Sequence, residues 1–289
     1  LLEHGKTLVA IIIPKDFEKK INRRETTQLQ TLFEGSDASK ASMALGYIQG
    51  VSTRFSQNLI METKDKLGMK ISLSGSLTPE VRVWYNPEMK SRIFMVPGIL
   101  GLVLMISTIS LMSMAIVRER EIGTMEQLIV TPIKKYQLLL GKLIPFTMIG
   151  FVILLIVMII MVLWFGIPVR GNIFYLLFAA LLFILSNLGI GLFISTVSKT
   201  QQQAMMASVF ALMMPMIYLS GFAFPIENMP KFFQYITYAI PLRYFITIIR
   251  GVVLKGIGIS SLWLETLILF GMGVSILVLS ANRFSKKVE

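Results

Sequence analysis

Long apolar stretches that contain no charged residue dominate the last two-thirds of the chain. Four such runs cover residues 93–117, 143–169, 171–198 and 200–226. Each run exceeds the roughly 20 residues that an α-helix needs to cross a bilayer, and none is long enough for two crossings. A fifth run, residues 266–282, reaches that length if its helix begins near Leu262. The pattern predicts a mainly α membrane protein, a polytopic bundle of five spanning helices.

The composition supports a membrane protein and excludes several kinds of chemistry. Hydrophobic residues make up 54% of the chain and charged residues 15%, with a mean hydropathy of +0.71. The net charge of +12 comes mainly from loop positions between the apolar runs, which counts against nucleic-acid binding. Because the chain has no cysteine and His4 is its single histidine, disulfides, thiolate metal sites and histidine metal sites are excluded.

Residues 1–91 have a more ordinary polar composition, and we predict that they form an α/β domain that is incomplete at its N-terminus. Its apolar run at residues 7–13 is typical of a strand buried on both faces. The other predicted elements are a helix at 16–21, a strand at 26–33, a helix from Asp37 or Ser39 to about Met61, and strands at 69–73 and 81–85.

The distribution of Lys and Arg predicts the orientation in the membrane. Basic residues are concentrated in the 118–142 loop and in the C-terminal tail, which places both in the cytoplasm. Residues 1–91 are then extracytoplasmic. An extracytoplasmic domain must follow a signal sequence or a membrane helix, and residue 1 is Leu, so we expect a further helix before it and six spans in the intact protein.

A charged, amphipathic segment, residues 118–132, follows the first apolar run. Ile122, Met125, Leu128 and Ile129 share one face at helical spacing, and Pro132 ends the pattern. One interpretation is a surface helix whose arginines bind lipid headgroups. The other is a helix that docks into a protein cleft. An anionic membrane surface would repel the acidic residues of this segment, and this favours the protein partner.

A second unusual segment, residues 218–251, is apolar and aromatic but is interrupted by Pro225, Pro230 and Pro241. It has no uninterrupted stretch of spanning length, so it predicts short helices that enter the outer leaflet and return. An interfacial loop with an aromatic belt is the alternative interpretation.

Helix packing explains the remaining polar residues and the methionines within the apolar runs better than ligand binding does. Small-residue spacing between Gly191 and Ser195, beside Ser186 and Asn187, indicates close helix contacts. The methionines favour core packing over a pliable substrate surface; they are Met205, Met206, Met213, Met214 and Met216. No charged residue lies clearly in the middle of a run, which argues against an ion-coupled transporter.

The sequence contains no complete catalytic or nucleotide-binding motif. Gly5, Lys6 and Thr7 match the end of a phosphate-binding loop, but a strand-like run follows where that motif requires a helix. Spaced carboxylate pairs and a nucleophile elbow are absent. We therefore expect a protein that is not an enzyme and that binds no cofactor or metal of its own.

Two segments together resemble the permease subunits of ABC-2-type exporters, in the bacterial multidrug and antibiotic branch. They are VREREIGTMEQLIVTP, similar to the family's coupling segment, and SGFAFPIENMP with IPLRYF and RG, similar to its outer hairpin. AIIIPKDFEKKI and LFEGSDASKAS also look like the branch's extracytoplasmic domain. The resemblance covers essentially the whole chain and implies that the first helix and its interface helix are absent.

The resemblance implies specific roles within residues 92–289. The coupling helix, residues 118–132, would sit in the cleft of an ATPase through Glu119, Glu121, Gly123, Thr124, Glu126 and Gln127. The outer re-entrant hairpin, residues 223–250, would be shaped by Pro225, Asn228, Pro230, Pro241 and Arg243.

The resemblance also implies partners and a function. Two six-helix permeases, as a homodimer or heterodimer, would bind separate ATP-binding subunits that hold ATP and Mg²⁺, in a bacterial cytoplasmic membrane. Membrane lipids and a periplasmic adaptor are further candidate partners. The expected activity is export of amphiphilic or hydrophobic compounds, such as drugs or lipids, by alternating access. The alternative is a membrane-anchored receptor or assembly scaffold whose extracytoplasmic domain binds a partner.

Overall fold

A computed structural model describes residue 7 and residues 9–23, 27–34, 38–67, 78–84, 91–124 and 134–283. The chain divides into two compact units, Leu1–Phe94 and Met95–Glu289.

The first unit contains a small sheet and two helices in its described part. Its elements are β1 (Val9–Ile12), α1 (Phe17–Asn22), β2 (Gln28–Glu34), α2 (Ala38–Leu67) and β3 (Thr78–Trp84). The strand order is β1-β2-β3, with β1 antiparallel to β2 and β2 parallel to β3. A parallel pair needs a long crossover, and α2 lies in the connection between β2 and β3.

Five of the six predicted elements of this unit occur with shifted ends, but one expectation about burial is wrong. β1 was expected to be buried on both faces, whereas Ile11 and Ile12 are half exposed. Among the described strands β1 pairs only with β2, so it is an edge of the sheet. The central strand carries the burial instead, through Thr31 and Phe33. The strand predicted at residues 69–73 lies outside the described residues.

The second unit is helical, and its described part contains five helices long and apolar enough to cross a membrane. They are α3 (Ser91–Glu121), α4 (Lys135–Leu163), α5 (Ile173–Val197), the fourth span (Gln201–Leu219) and α10 (Ile259–Arg283). This confirms the predicted mainly helical fold with five candidate spans. The last helix begins at Ile259, earlier than expected, and has non-helical backbone angles at Leu262.

The fourth span and the segment after it are irregular. The span consists of α6 (Gln201–Met206), a π-helix (Ala207–Met213) and α7 (Met214–Leu219). The elements that follow are a 3-10 turn (Ile226–Asn228), α8 (Lys231–Thr237), α9 (Pro241–Arg250) and a second π-helix (Gly251–Lys255). α8 and the helix that follows it are bent by 81° relative to each other. The predicted break-up of this segment into short helices is therefore found.

α5 is the most buried of the spans, and small residues let its neighbours approach it closely. A Cβ added at Gly191 would lie 2.8 Å from the carbonyl oxygen of Ile109 on α3. A Cβ added at Gly273 of α10 would lie 2.8 Å from the Ser186 Oγ. The predicted role of these small residues in helix packing is confirmed.

The methionines of the fourth span do not follow the packing expectation. Met213 is buried, but Met205, Met206 and Met214 are each about half exposed. The physical reason is that the fourth span is the least covered of the five candidate spans, with only a small part of it buried. Side chains at helical spacing therefore point away from the bundle.

Candidate functional site

The site begins where the first span ends. α3 continues without a break through Glu121, so Arg118–Glu121 form the last turn of the span. The chain turns at Ile122 and Gly123, where Gly123 has φ of +78°, and it is helical again at Thr124. A residue in the left-handed region just after a helix is a common stop signal and favours glycine. The helix expected over residues 118–132 therefore does not begin at residue 118.

Three consecutive side chains join the end of α3 to three other spans. Glu119 forms an ion pair with Lys142 of α4. The Arg120 guanidinium donates to the Ser195 carbonyl oxygen of α5 at 3.0 Å. The Glu121 carboxylate accepts from the backbone N–H of Gln201 at 2.9 Å, and also from the Gln201 side-chain amide. Successive residues lie about 100° apart around an α-helix, so each side chain reaches a different neighbour. We call this cluster the α3 hub.

The turn after the hub is held by hydrogen bonds back to the last turn of α3: the Ile122 N–H donates to the Arg118 carbonyl oxygen at 3.0 Å and the Gly123 N–H to the Arg120 carbonyl oxygen at 3.2 Å. The Thr124 hydroxyl donates to the Glu119 carbonyl oxygen at 3.2 Å. Ile122 is 61% exposed, and a Cβ added at Gly123 would meet nothing within 4 Å. The surface presented by this turn is therefore a small apolar one. The carboxylates of Glu119 and Glu121 are both bonded within the chain.

Glu126 and Gln127, the other two residues expected in the coupling helix, lie outside the described residues. Four members of the hub were not predicted as site residues from the sequence, namely Arg120, Lys142, Ser195 and Gln201. A weak signal existed for Lys142, since an isolated cation beside an apolar run needs a partner or a route to water. Ser195 acts through its backbone carbonyl, which no side-chain pattern can show.

The three prolines of the second segment each stand at a helix start. Pro225 precedes the 3-10 turn, Pro230 precedes α8, and Pro241 is the first residue of α9. Proline suits this place because its fixed φ is already helical and its missing N–H would have no partner within the helix. Asn228 ends the 3-10 turn with its side chain exposed.

Arg243 ties α9 to α8 across the bend. Its guanidinium donates to the hydroxyl of Thr237, which is completely buried, and lies 4.0 Å from the ring centroid of Tyr238. The Tyr244 hydroxyl donates to the Tyr238 carbonyl oxygen at 2.9 Å, a second bond across the same bend. The structure thus brings one of the predicted hairpin residues into a defined contact.

Further bonds attach this bent segment to the spans. The Arg250 guanidinium donates to the Gly221 carbonyl oxygen at 3.2 Å, in the turn after the fourth span. Arg170, between α4 and α5, donates to the Leu254 carbonyl oxygen at 3.1 Å, and the Gly171 N–H donates to the Val252 carbonyl oxygen at 3.0 Å. These bonds satisfy carbonyl groups at a helix end, which would otherwise lack partners. Neither arginine was singled out from the sequence.

The described elements form a bundle of apolar helices with polar ties at the helix ends, as in a multi-pass membrane protein. Residues 1–282 match the family model described as ABC-2 family transporter protein, and the chain belongs to this family. The family predicted from the two segments is confirmed.

Several curated relatives are similar over most of the chain. It is 34% identical to the probable multidrug ABC transporter permease YbhS of Escherichia coli K12 over 256 residues, which are 88% of this chain and 66% of that protein. It is 33% identical to the probable multidrug ABC transporter permease YbhR of the same strain, over 91% of this chain and 69% of that protein. The inner membrane transport permease YhhJ is 25% identical over 99% of this chain and 75% of its own length. The chain thus spans about two-thirds of the length of YbhS.

Proposed function

We propose that this chain is the membrane-spanning permease part of an ATP-driven ABC exporter, and that ATP is hydrolysed on a separate ATP-binding subunit. Membership of the ABC-2 transporter family supports the proposal, as do relatives named as probable multidrug ABC transporter permeases. The observation that carries it is the α3 hub, which connects one exposed turn to three other spans. The proposed cargo class is amphiphilic or hydrophobic, such as drugs or lipids.

The α3 hub explains how a push from outside the membrane could be received. Ile122 and Gly123 present an accessible surface, and Glu119, Arg120 and Glu121 directly precede them. A force on the turn reaches α4, α5 and the fourth span through these bonds. ATP and Mg²⁺ on the partner subunit supply the energy, because a conformational change needs a ligand with different affinity for the two states.

The topology proposed for the chain follows from this assignment. The turn 122–124 and the C-terminus face the cytoplasm, and the first unit is the extracytoplasmic α/β domain. The protein lies in a bacterial cytoplasmic membrane, and a second permease subunit completes the pathway. The cargo leaves on the extracytoplasmic side.

The bent segment after the fourth span is proposed as the outer re-entrant hairpin. Its short helices support this, because α8 has seven residues and spans only about 10 Å. The 81° bend and the Arg243 contacts hold α8 and α9 in a fixed relation. Such non-spanning backbone is tolerated at membrane depth where protein covers it.

The test is association with an ATPase. The full chain is co-expressed with an ATP-binding cassette subunit, purified, and assayed for ATP hydrolysis and for efflux of ethidium as an amphiphilic probe. We expect Glu126→Lys to reduce nucleotide-coupled efflux at least about fivefold, the lower end of typical coupling effects. Glu18→Lys, the same charge change on the exposed face of α1, is the matched control.

The outcomes separate the candidate functions. Co-purification of the ATPase together with loss of coupling only in Glu126→Lys supports the exporter. Equal hydrolysis and efflux in both variants would exclude Glu126 from coupling. Failure of the wild-type chain to bind any ATP-binding subunit would instead support the receptor or assembly scaffold, which needs none.

A further inference from the structure

The fourth span is attached to α3 at two points. At its first turn, Glu121 of α3 accepts from the backbone N–H of Gln201 at 2.9 Å and from the Gln201 side-chain amide. Farther along, the hydroxyl groups of Ser113 and Ser208 lie 3.0 Å apart and are both buried. Ser113 precedes Glu121 and Ser208 follows Gln201, so the two helices run antiparallel between these contacts.

The two contacts differ in a way that matters for movement. The Ser113–Ser208 contact is buried, and each hydroxyl also lies within hydrogen-bond distance of a carbonyl oxygen of its own helix, Ser208 at 2.8 Å from Ala204 and Ser113 at 3.1 Å from Ser110. It therefore ties α3 to the fourth span at a second, buried point. The Glu121–Gln201 contact lies at the exposed end, directly beside the turn at Ile122, and a carboxylate at a helix N-terminus is favoured by the helix dipole.

We propose that Gln201 is a positioning residue that passes the movement of the turn 122–124 to the fourth span through Glu121. The Ser113–Ser208 contact makes the two helices move as one unit. The fourth span then moves its half-exposed face, which includes Met205, Met206 and Phe210, whenever the turn moves. This inference rests on the proposed function, because it needs a nucleotide-driven force on the turn.

The hydrogen bonds suggest a charge-neutral exchange as the test. Gln201→Glu places a second carboxylate against Glu121 and removes the side-chain donor. The double variant Glu121→Gln, Gln201→Glu restores a donor facing an acceptor with the partners exchanged, and the backbone N–H of residue 201 keeps an acceptor. Gln202→Glu is the matched control, since residue 202 is the exposed neighbour on the same turn.

The readout is the movement of the fourth span. Because the chain contains no cysteine, Met206→Cys provides its single thiol for an environment-sensitive fluorophore, attached before assembly with the ATPase in liposomes. MgATP with vanadate should change the fluorescence in the wild-type background and in Gln202→Glu. We expect Gln201→Glu to reduce this change at least about fivefold and the double variant to restore it.

Three results would overturn the proposal. One is a Gln201→Glu signal equal to that of Gln202→Glu, and another is no restoration in the double variant. The third is a wild-type complex that binds its ATPase but shows no nucleotide-dependent signal at residue 206. If no ATPase binds, the proposed function fails first, so the two failures are distinguishable.

A disulfide between the helices tests the second part of the proposal, that α3 and the fourth span move together, even if Gln201→Glu does not fold. The Ser113→Cys, Ser208→Cys pair replaces two hydroxyls that lie 3.0 Å apart, so oxidation should link the helices at this point. Reporter fluorescence is then recorded from a label at residue 206 attached after oxidation. If α3 and the fourth span move together, the disulfide leaves the nucleotide-dependent fluorescence change intact. If the two helices slide past each other, the disulfide abolishes that change.

Discussion

At the residue scale, polar side chains at the end of α3 join this helix to three other spans. Glu119, Arg120 and Glu121 are adjacent in sequence, yet each bonds a different span. Their types and order were visible in the sequence, and Glu119 and Glu121 were singled out. Their partners were not predictable, because Lys142, Ser195 and Gln201 become neighbours only when the helices pack.

Arg243 gives a direct test of the bend between α8 and α9. We expect Arg243→Ala to lower the free energy of unfolding by about 1.5–3 kcal/mol, since it removes a charge-assisted bond to the buried Thr237 hydroxyl. Arg243→Lys should restore only part of this, because an ammonium lacks the planar group that lies over Tyr238. Thermal unfolding of the purified protein in detergent measures the change.

The control for Arg243 is Lys231→Ala, which removes an exposed cation at the start of α8. Substitutions at exposed positions of this kind usually change stability by no more than about 0.5 kcal/mol. Equal effects of Arg243→Ala and Lys231→Ala would show that the contacts of Arg243 do not stabilise the bend.

Gly191 tests how closely α5 approaches α3. We expect Gly191→Ala to destabilise the bundle by about 1–3 kcal/mol, because the new Cβ would overlap the Ile109 carbonyl oxygen and the Met112 Cβ. Gly271→Ala in α10 is the matched control, since its new Cβ meets nothing within 4 Å. Unfolding in a denaturing detergent series compares the two. A Gly191→Ala protein as stable as Gly271→Ala would contradict the close packing.

At the element scale, the sequence marked residues 118–132 as a distinct segment after the first span, but the helix predicted there does not begin at residue 118. The amphipathic spacing of residues 118–132 predicts one helix over the whole segment. The structure ends α3 at Glu121 and turns the chain at Gly123. Periodicity alone cannot show this end, because Arg118–Glu121 continue the span's own helical repeat. The glycine was the available signal.

Gly123 and Gly166 allow strain and coupling to be separated. Both have positive φ and open surroundings, at +78° and +66°, so alanine at either should cost about 1–2 kcal/mol of stability. Under the proposed function only Gly123→Ala should also reduce ATP-coupled ethidium efflux, since only that turn receives the push. Efflux and unfolding are measured on both variants. A matching loss of efflux in Gly166→Ala would attribute the effect to stability alone.

At the scale of the whole molecule, five spans alternate the sides on which their connections lie. The turn after α3 and the connection after α5 lie on one side, and the connections after α4 and after the fourth span lie on the other. The orientation proposed from the basic residues assigns the first side to the cytoplasm. The cytoplasmic assignment can be tested by thiol labelling, because no native cysteine has to be removed first.

The absence of cysteine makes that measurement simple. Thr124→Cys and Trp164→Cys each place one thiol in a connection on opposite sides, and Trp164 is 84% exposed. We expect a membrane-impermeant maleimide to label Thr124→Cys only in inside-out vesicles and Trp164→Cys only in right-side-out vesicles. The reverse pattern would invert the proposed topology, and labelling of both on one side would contradict an intervening span.

The sequence alone determined the number of spans, the break-up of the segment at residues 218–251 and the family. These properties depend on local facts, namely the lengths of uncharged runs, the fixed φ of proline and short motifs. Tertiary structure alone decided that β1 is an edge strand, that the methionines of the fourth span are half exposed and that the α3 hub joins four spans. Each of these depends on which elements become neighbours, and neighbours far apart in the chain are set by packing and not by local spacing.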